Sequence, residues 1–389
     1  MDWVDRELTE LRKQALYRKR RRLQSAQGTR IRMGGRVCVN FASNDYLNLA
    51  ADPRLARASA RAARRYGCGA GASPLISGHL PPLRRLEQAL AKWEGADGAL
   101  VFSSGYTANL AVIGAATAGR SVEVFSDALN HASLIDGCRL SRANVQIYRH
   151  ADANHLEEML RQSTATHRLI VTDTVFSMDG DLAPLPELAD LARRYDCQLV
   201  LDEAHATGIL GAQGRGLAEV QSEAIAGLEV IRVGTLSKAL GTQGGFVCGP
   251  RQFITWLVNR ARPYIFSTAL APPTAAAAAA AVAIVAAEAE PRQRLLALAE
   301  DLRSRLADLG LPPTGSRTQI VPVMVGDSAM AVRLSRRLQR AGFLVPAIRP
   351  PSVPEGTARL RISLTAGHTT ADVERLIDLL REHLSLVAG

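Results

Sequence analysis

Lys238 lies in the run Gly234-Thr235-Leu236-Ser237-Lys238-Ala239-Leu240-Gly241, just after the strand-like Val230-Ile231-Arg232-Val233, and Leu201-Asp202-Glu203-Ala204-His205 precedes it at the end of another apolar run. A lysine amine condenses with an aldehyde to give a Schiff base. Pyridoxal phosphate held in that way also needs a carboxylate to keep its ring nitrogen protonated and a small hydroxyl near its phosphate. Lys238, Asp202 and Thr235 are of those types. Taken singly, an aspartate at a strand end reads as a cap and a lone lysine as a solvated cation. Together they point to a cofactor that stores negative charge, because a carboxylate beside the ring nitrogen raises its pKa and makes the ring an electron sink.

Further residues fall into place around those three. His205 follows Asp202 closely enough to reach the phenolic oxygen of such a ring, and Ser177 in Val175-Phe176-Ser177-Met178-Asp179-Gly180-Asp181 can donate there too. His131, in Ser126-Asp127-Ala128-Leu129-Asn130-His131-Ala132-Ser133, follows a strand and can lie flat against the ring. A phosphate wants unpaired backbone N–H groups at a helix start. Ser103-Ser104-Gly105-Tyr106-Thr107-Ala108-Asn109 lies between a strand and a helical run, with Gly105 allowing close approach.

The elements that must position these residues are legible as an alternation. Short β-rich runs at 99–102, 122–125, 145–148, 169–172, 198–201, 230–233 and 245–248 are separated by helical runs, which predicts a mostly parallel sheet with helices on both faces. Between Pro184 and Tyr195, for example, Leu185, Leu188, Leu191 and Ala192 recur at helical spacing. In such a sheet ligands gather at the carboxyl ends of the strands, where Ser177, Asp202, His205, Thr235 and Lys238 all fall. Residues 292–389 read as an α+β unit: helix 292–309, strand 320–325, helix 329–341, strand 359–363 and helix 370–384. Residues 3–23 read as an amphipathic helix, broken at Gly28 and Gly34-Gly35. The expected organisation is an N-terminal helix and arm over 1–45, a large cofactor-binding domain over 46–285 and a smaller C-terminal domain over 286–389.

The 389 residues carry 47 Lys or Arg against 37 acids, for a net charge of +10, but residues 1–36 hold eleven of the cations and four of the acids. Basicity is therefore local, and with only 5% aromatic residues a nucleic-acid-binding fold is not expected. The run Lys19-Arg20-Arg21-Arg22 reads either as a solvated helix face or as an anion site for a phosphate-bearing substrate or an acidic carrier protein. A non-catalytic protein using that run would bind polynucleotides in a salt-sensitive way and be colourless. Five scattered cysteines indicate neither a zinc framework nor a disulfide scaffold, so no metal is expected. The first thirty residues show no signal-peptide pattern, which makes the cytoplasm the default location. The stretch 271–287 is apolar, yet its Pro272-Pro273 start and seven consecutive alanines mark a close-packed helix rather than a membrane span.

Six motifs in order, Asn44-Asp45-Tyr46-Leu47, Asn130-His131-Ala132-Ser133, Phe176-Ser177-Met178-Asp179-Gly180-Asp181, Asp202-Glu203-Ala204-His205-Ala206-Thr207-Gly208, Thr235-Leu236-Ser237-Lys238 and Gly356-Thr357-Ala358-Arg359-Leu360-Arg361, resemble those of the α-oxoamine synthases along nearly the whole chain. The resemblance implies a pyridoxal-phosphate enzyme of the aspartate-aminotransferase fold, a homodimer with shared active sites that joins an amino acid to an acyl thioester with release of carbon dioxide. By that resemblance Lys238 carries the Schiff base, His131 stacks on the ring, Asp202 pairs with its nitrogen, and His205 and Ser177 contact its phenolic oxygen. Gly105, Tyr106 and Thr235 would hold the phosphate, with Ser267 and Thr268 reaching it from the other subunit. Arg361 with Asn44 would hold the amino-acid carboxylate, and Arg20 and Ser352 match positions associated with the acyl substrate. The stretch Ala347–Arg361 most resembles the branch that joins L-alanine to pimeloyl-CoA or a pimeloyl-acyl carrier protein; branches using glycine or L-serine stay open. Departures from the pattern are Asp173 for a longer glutamate, Ala206 for glycine and Ser352 for threonine.

Overall fold

The computed structural model describes residues 1–384, which divide into two compact units. Residues 49–176 and 182–292 form one, here the sheet unit; residues 1–48, 177–181 and those from 293 onward form the other, the terminal unit. The N-terminal arm thus counts with the C-terminal residues.

The terminal unit opens with α1 (Asp2–Lys13), β1 (Arg30–Met33) and β2 (Arg36–Asn40). The helix expected over 3–23 stops ten residues early, and the reason is local. Ala15 takes a left-handed φ of 56°, and the N–H groups of Leu16 and Tyr17 both turn back to the Leu11 carbonyl, at 2.8 and 2.9 Å. No residue of α1 is buried, so no packing opposes that closure. The cationic run Lys19–Arg22 continues as irregular chain. Gly34 and Gly35, with φ of 57° and 77°, make the two-residue turn that joins β1 to β2 in register Met33↔Arg36.

In the sheet unit α2 (Pro53–Tyr66) and α3 (Pro81–Glu94) precede β3 (Gly98–Phe102), α4 (Gly105–Thr117), β4 (Val122–Asp127), α5 (Ala132–Ser141), β5 (Asn144–Tyr148), α6 (Ala153–Gln162) and β6 (His167–Asp173). After the excursion at 177–181 come α7 (Leu185–Arg194), β7 (Cys197–Asp202), α8 (Leu217–Val220), β8 (Val230–Thr235), β9 (Gly245–Gly249), α9 (Arg251–Arg260), α10 (Arg262–Ile265) and α11 (Pro272–Ala287). All seven expected strands are present and form one sheet in the order β3-β9-β8-β7-β6-β4-β5. Only β9 runs against its neighbours. Strands covered on both faces read as largely apolar runs, and β9, with Phe246, Val247 and Cys248 between two glycines, is buried at every residue. The alanines of α11 lie against α2 and α3, with Ala275, Ala278 and Ala281 fully buried. Among the described residues no single helix is long and apolar enough to cross a membrane.

The terminal unit resumes with α12 (Glu290–Asp308), β10 (Ile320–Gly326), α13 (Ser328–Arg340), β11 (Phe343–Leu344), β12 (Ala347–Ile348), β13 (Ala358–Ser363) and α14 (Thr370–Leu384). Strand β13 sits between β10 and β12, antiparallel to both, while β11 extends the N-terminal hairpin by pairing parallel with β2. Within this unit His368 is buried, stacks on Phe41 at 4.2 Å between ring centroids, and accepts the Thr365 N–H at Nδ1 (2.9 Å). Burial lowers its pKa from 6.5 to about 4, against the opposing pull of Asp372. The fold therefore holds this ring neutral, whereas the unfolded chain takes up the proton near pH 6.5. Its contribution to stability is intact above pH 6.5 and is lost as the pH falls toward 4, by up to roughly 3 kcal/mol. His368→Asn, which keeps an acceptor for the Thr365 N–H but does not titrate, is expected to lose less melting temperature than the wild type between pH 7 and pH 4.5. Equal losses in thermal denaturation would exclude His368 as the source.

Candidate active site

Parallel pairing of β6 with β7 sets Asp173 directly opposite Asp202 at the carboxyl edge of the sheet. Both are buried. Each oxygen of Asp202 accepts one hydrogen bond: Oδ1 from the Ala204 N–H at 2.8 Å and Oδ2 from Asn109 Nδ2 at 2.6 Å. Asp173 takes the His131 N–H at 2.6 Å, and its carboxyl pKa is raised well above the usual range, first by burial and then by the Asp202 charge. A buried Asp202 whose orientation is fixed from both sides, with a neighbouring carboxyl pushed toward its neutral form, is suited to one added cation.

His131 is the N-cap of α5; its Nδ1 accepts the Ser133 backbone N–H at 3.3 Å and lies 2.7 Å from the Ser133 hydroxyl. The ring has an exposed face but is otherwise walled by protein, and this burial is the main cause of a lowered pKa. Asp202 acts to raise that pKa and Lys238 to lower it. Lys238 and Asp202 therefore act on one imidazole. Lys238 is half-buried in the turn after β8, and His205 is buried in the turn after β7.

The phosphate cradle expected at the start of α4 is built from three backbones. Ser104 caps the helix in a reciprocal box with Thr107, leaving the first-turn N–H groups directed outward. A Cβ on Gly105 would meet the Thr235 side chain at 3.3 Å, and one on Gly245 would come within 2.5 Å of the Gly105 nitrogen. Thr235 Oγ1 lies 2.8 Å from Ser237 Oγ and 3.0 Å from the Gly244 carbonyl. A helix start beside two hydroxyls, closed by glycines, fits an esterified phosphate. The exposed Tyr106 gives its hydroxyl proton to Asp136. Ser267 and Thr268 lie in the loop between α10 and α11, the former half-buried and the latter exposed.

The remaining expected residues belong to the terminal unit. Arg361 is buried and donates from Nε to the Ser177 carbonyl (2.5 Å), from Nη1 to Asn44 Oδ1 (3.2 Å) and Ser363 Oγ (2.7 Å), and from Nη2 toward the Tyr46 hydroxyl (3.4 Å). Among the described residues no carboxylate pairs with it. A buried guanidinium held by neutral acceptors is poised for an incoming anion. Ser177 thus meets Arg361 through its backbone. Arg20 is exposed and lines a groove of about 940 Å³ with Arg18, Arg21, Arg333, Arg336 and Arg349. Ser352 is exposed, and its N–H bonds the Arg349 carbonyl at 3.0 Å.

Two residues of the site carried no role in the sequence reading. Asn109 and Ser133 are fully buried and link Asp202 to His131, Asn109 Nδ2 also reaching Ser133 Oγ at 2.8 Å. Both stand inside motifs singled out above, and a polar residue one helical turn into α4 was the available signal. The arginines that complete the groove on α13 were also unassigned, although Arg333 and Arg336 share a face at i, i+3.

The profile of the family "Aminotransferase class I and II" matches residues 36–380, and the chain belongs to that family. Its full-length relatives narrow the class. A protein of Anaeromyxobacter sp. (strain Fw109-5) is 51% identical over 389 residues, covering 100% of this chain and 97% of the relative. One of Anaeromyxobacter dehalogenans (strain 2CP-1 / ATCC BAA-258) is 48% identical over 380 residues, covering 98% and 95%. Both are 8-amino-7-oxononanoate synthases. Among solved structures, serine palmitoyltransferase from S. paucimobilis with bound PLP-myriocin aldimine superposes with a TM-score of 0.93 at 31% identity, over 100% of this chain and 98% of that one. The 8-amino-7-oxononanoate synthase of Francisella tularensis gives 0.77 at 26% identity, over 90% and 99%.

Gly245→Ala drives a methyl group into the backbone of Ser104 and Gly105, where nothing flexible can yield. The variant is expected to lose about 1 to 3 kcal/mol of stability. It is also expected to release pyridoxal phosphate on dialysis under conditions in which the wild type retains it. Absorbance of the retained cofactor and a thermal melt measure both.

Proposed function

We propose that the protein catalyses the decarboxylative condensation of L-alanine with a pimeloyl thioester to give 8-amino-7-oxononanoate, a step of biotin biosynthesis, with pyridoxal 5′-phosphate as its cofactor. The observation that carries the class is that Lys238 and Asp202 act on the same imidazole beside a glycine-closed helix start. The particular substrates rest on relatives 48–51% identical over nearly their whole length.

When bound, the cofactor supplies an electron sink for negative charge at the amino-acid Cα. The rest is the work of side chains. Asp202 would accept the ring nitrogen's proton in a hydrogen bond, and the hydroxyls and N–H groups near Gly105, Tyr106 and Thr235 would take the phosphate. Arg361 and Asn44 would fix the alanine carboxylate, using a cation that has no anionic partner among the described residues. The Lys238 amine, once free, removes the Cα proton and later returns one. His131 donates a hydrogen bond to the thioester oxygen as Cα attacks; the thiol leaves and carbon dioxide follows.

The arginine groove supports a donor bearing phosphate, as coenzyme A and acyl carrier protein both do. A homodimer is supported by an apolar patch in the sheet unit: Leu75, Ile76 and Phe266 are exposed, and the loops that carry them are tied by the Ala269 N–H to the Ala72 carbonyl at 3.0 Å. Ser267 and Thr268 border that patch. The likeness to serine palmitoyltransferase gives weak support to a second reading within the class, in which L-serine or glycine replaces L-alanine, as in a serine palmitoyltransferase relative, glycine C-acetyltransferase or 5-aminolevulinate synthase. One methyl or hydroxyl in a pocket discriminates by only about 1 to 3 kcal/mol.

The purified protein is expected to be yellow, with borohydride fixing the chromophore to Lys238 and Lys238→Ala abolishing turnover; unchanged turnover in that variant would refute the mechanism. With L-alanine, glycine and L-serine offered against pimeloyl and short-chain thioesters, alanine with pimeloyl should turn over fastest. Faster reaction of glycine with acetyl thioester overturns the assignment. Arg361→Lys should raise KM for L-alanine by about tenfold or more, since a point charge replaces a two-pronged donor. Rates with both acyl donors in Arg20→Ala and Arg21→Ala should fall through KM for the thioester alone.

A further inference from the structure

The hydrogen bonds behind the His131 ring run in one direction. We infer that Asn109 and Ser133 are positioning residues which hold His131 as the neutral tautomer protonated at Nε2, through a relay that begins at Asp202 and ends at Nδ1. Asp202 Oδ2 accepts from Asn109 at 2.6 Å, so the amide must present Nδ2, and the other Nδ2 hydrogen goes to Ser133 Oγ at 2.8 Å. With its oxygen accepting from Asn109, Ser133 spends its own proton on His131 Nδ1 at 2.7 Å. The Ser133 backbone N–H points at the same nitrogen from 3.3 Å, in the N-cap arrangement.

The alternatives each leave a conflict. A proton on Nδ1 would face the Ser133 N–H, donor against donor, and the Ser133 hydroxyl would have no acceptor among the described residues. An imidazolium would repeat that conflict and add positive charge at the start of α5, where the helix dipole is already positive. Turning the Asn109 amide over would set Oδ1 against Asp202 Oδ2. Asn109 Oδ1 is buried with no hydrogen-bond partner among the described residues, so its own bonding does not set the orientation; Asp202 does. The charges acting on the ring are those of Asp202, Asp136 and Lys238, while Asp173 holds the His131 backbone N–H. Burial lowers the pKa of the imidazole, in keeping with a neutral ring. Nε2–H then remains as a donor with no protein acceptor among the described residues.

This rests on the acyltransferase reading only for its use: a fixed Nε2–H is the donor that a thioester oxygen requires. The test reads the tautomer directly. The full chain, labelled with ¹⁵N-histidine and loaded with pyridoxal phosphate, is examined by two-bond proton–nitrogen correlation at pH 7.5, with His131 assigned from His131→Gln. The expected result is one neutral species protonated at Nε2. Ser133→Ala should introduce an Nδ1-protonated population and lower kcat about tenfold with KM for L-alanine nearly unchanged. Ser133→Thr, which keeps the hydroxyl, should restore both. Asn109→Ala should shift the tautomer in the same direction as Ser133→Ala and serves if that variant fails to fold. A wild-type ring protonated at Nδ1 or at both nitrogens overturns the relay, as do variants whose spectra match the wild type. An active enzyme with the wrong tautomer removes the relay and leaves the activity standing. An inactive enzyme with the expected tautomer does the reverse.

Discussion

One buried side chain organises the sheet unit. Asp202 stands at the end of β7, with each oxygen accepting one hydrogen bond, from Asn109 and from the Ala204 N–H, and with Asp173 alongside in register. Isolated in a protein interior a carboxylate costs far more than a domain can spare, so its position has to be justified by partners. Those partners fix more than Asp202. Asn109 passes the constraint to Ser133 and so to the ring of His131, and the backbone of His131 is held in turn by Asp173.

The terminal unit solves the opposite problem with the same restraint. Arg361 is buried on β13, where its neighbours among the described residues offer carbonyl, amide and hydroxyl oxygens but no carboxylate. Arg359, two residues before it on the same strand, is paired with Asp179 and is thereby neutralised. Of these two buried arginines, one is paired with a carboxylate and the other, among the described residues, is held by neutral acceptors. The arginines around Arg20 follow a third pattern: they line a broad groove with no anion among its described lining residues, where water screens each charge and only the sum is strong.

Close backbone approach is the other organising constraint. Gly245 and Gly105 allow the start of β9, the end of β8 and the first turn of α4 to share one small volume, so that helix N–H groups and the Thr235 hydroxyl face a common point. The sheet makes this reproducible. Its one reversed strand, β9, brings Gly245 opposite both Phe102 and Thr235 by register.

Much of this was legible in the sequence. Seven apolar runs with helical spacers gave the parallel sheet, because the two periodicities differ and strands covered on both faces need largely apolar runs. The lysine, aspartate and histidine motifs fell at strand ends for the same reason. Legibility failed where the deciding partner was distant in the chain. One failure is local: the helix expected to run to residue 23 ends at Lys13 because Ala15 turns left-handed and the chain folds back on the Leu11 carbonyl, with no buried residue in the helix to oppose it. That Asn109 belongs with Asp202, and Arg361 with Asn44 and the Ser177 carbonyl, was settled only by folding. Residue type and spacing determined what chemistry the chain can do; the tertiary structure decided which donors meet which acceptors, since most of the pairs that fix these side chains join residues that the sequence leaves dozens or hundreds apart.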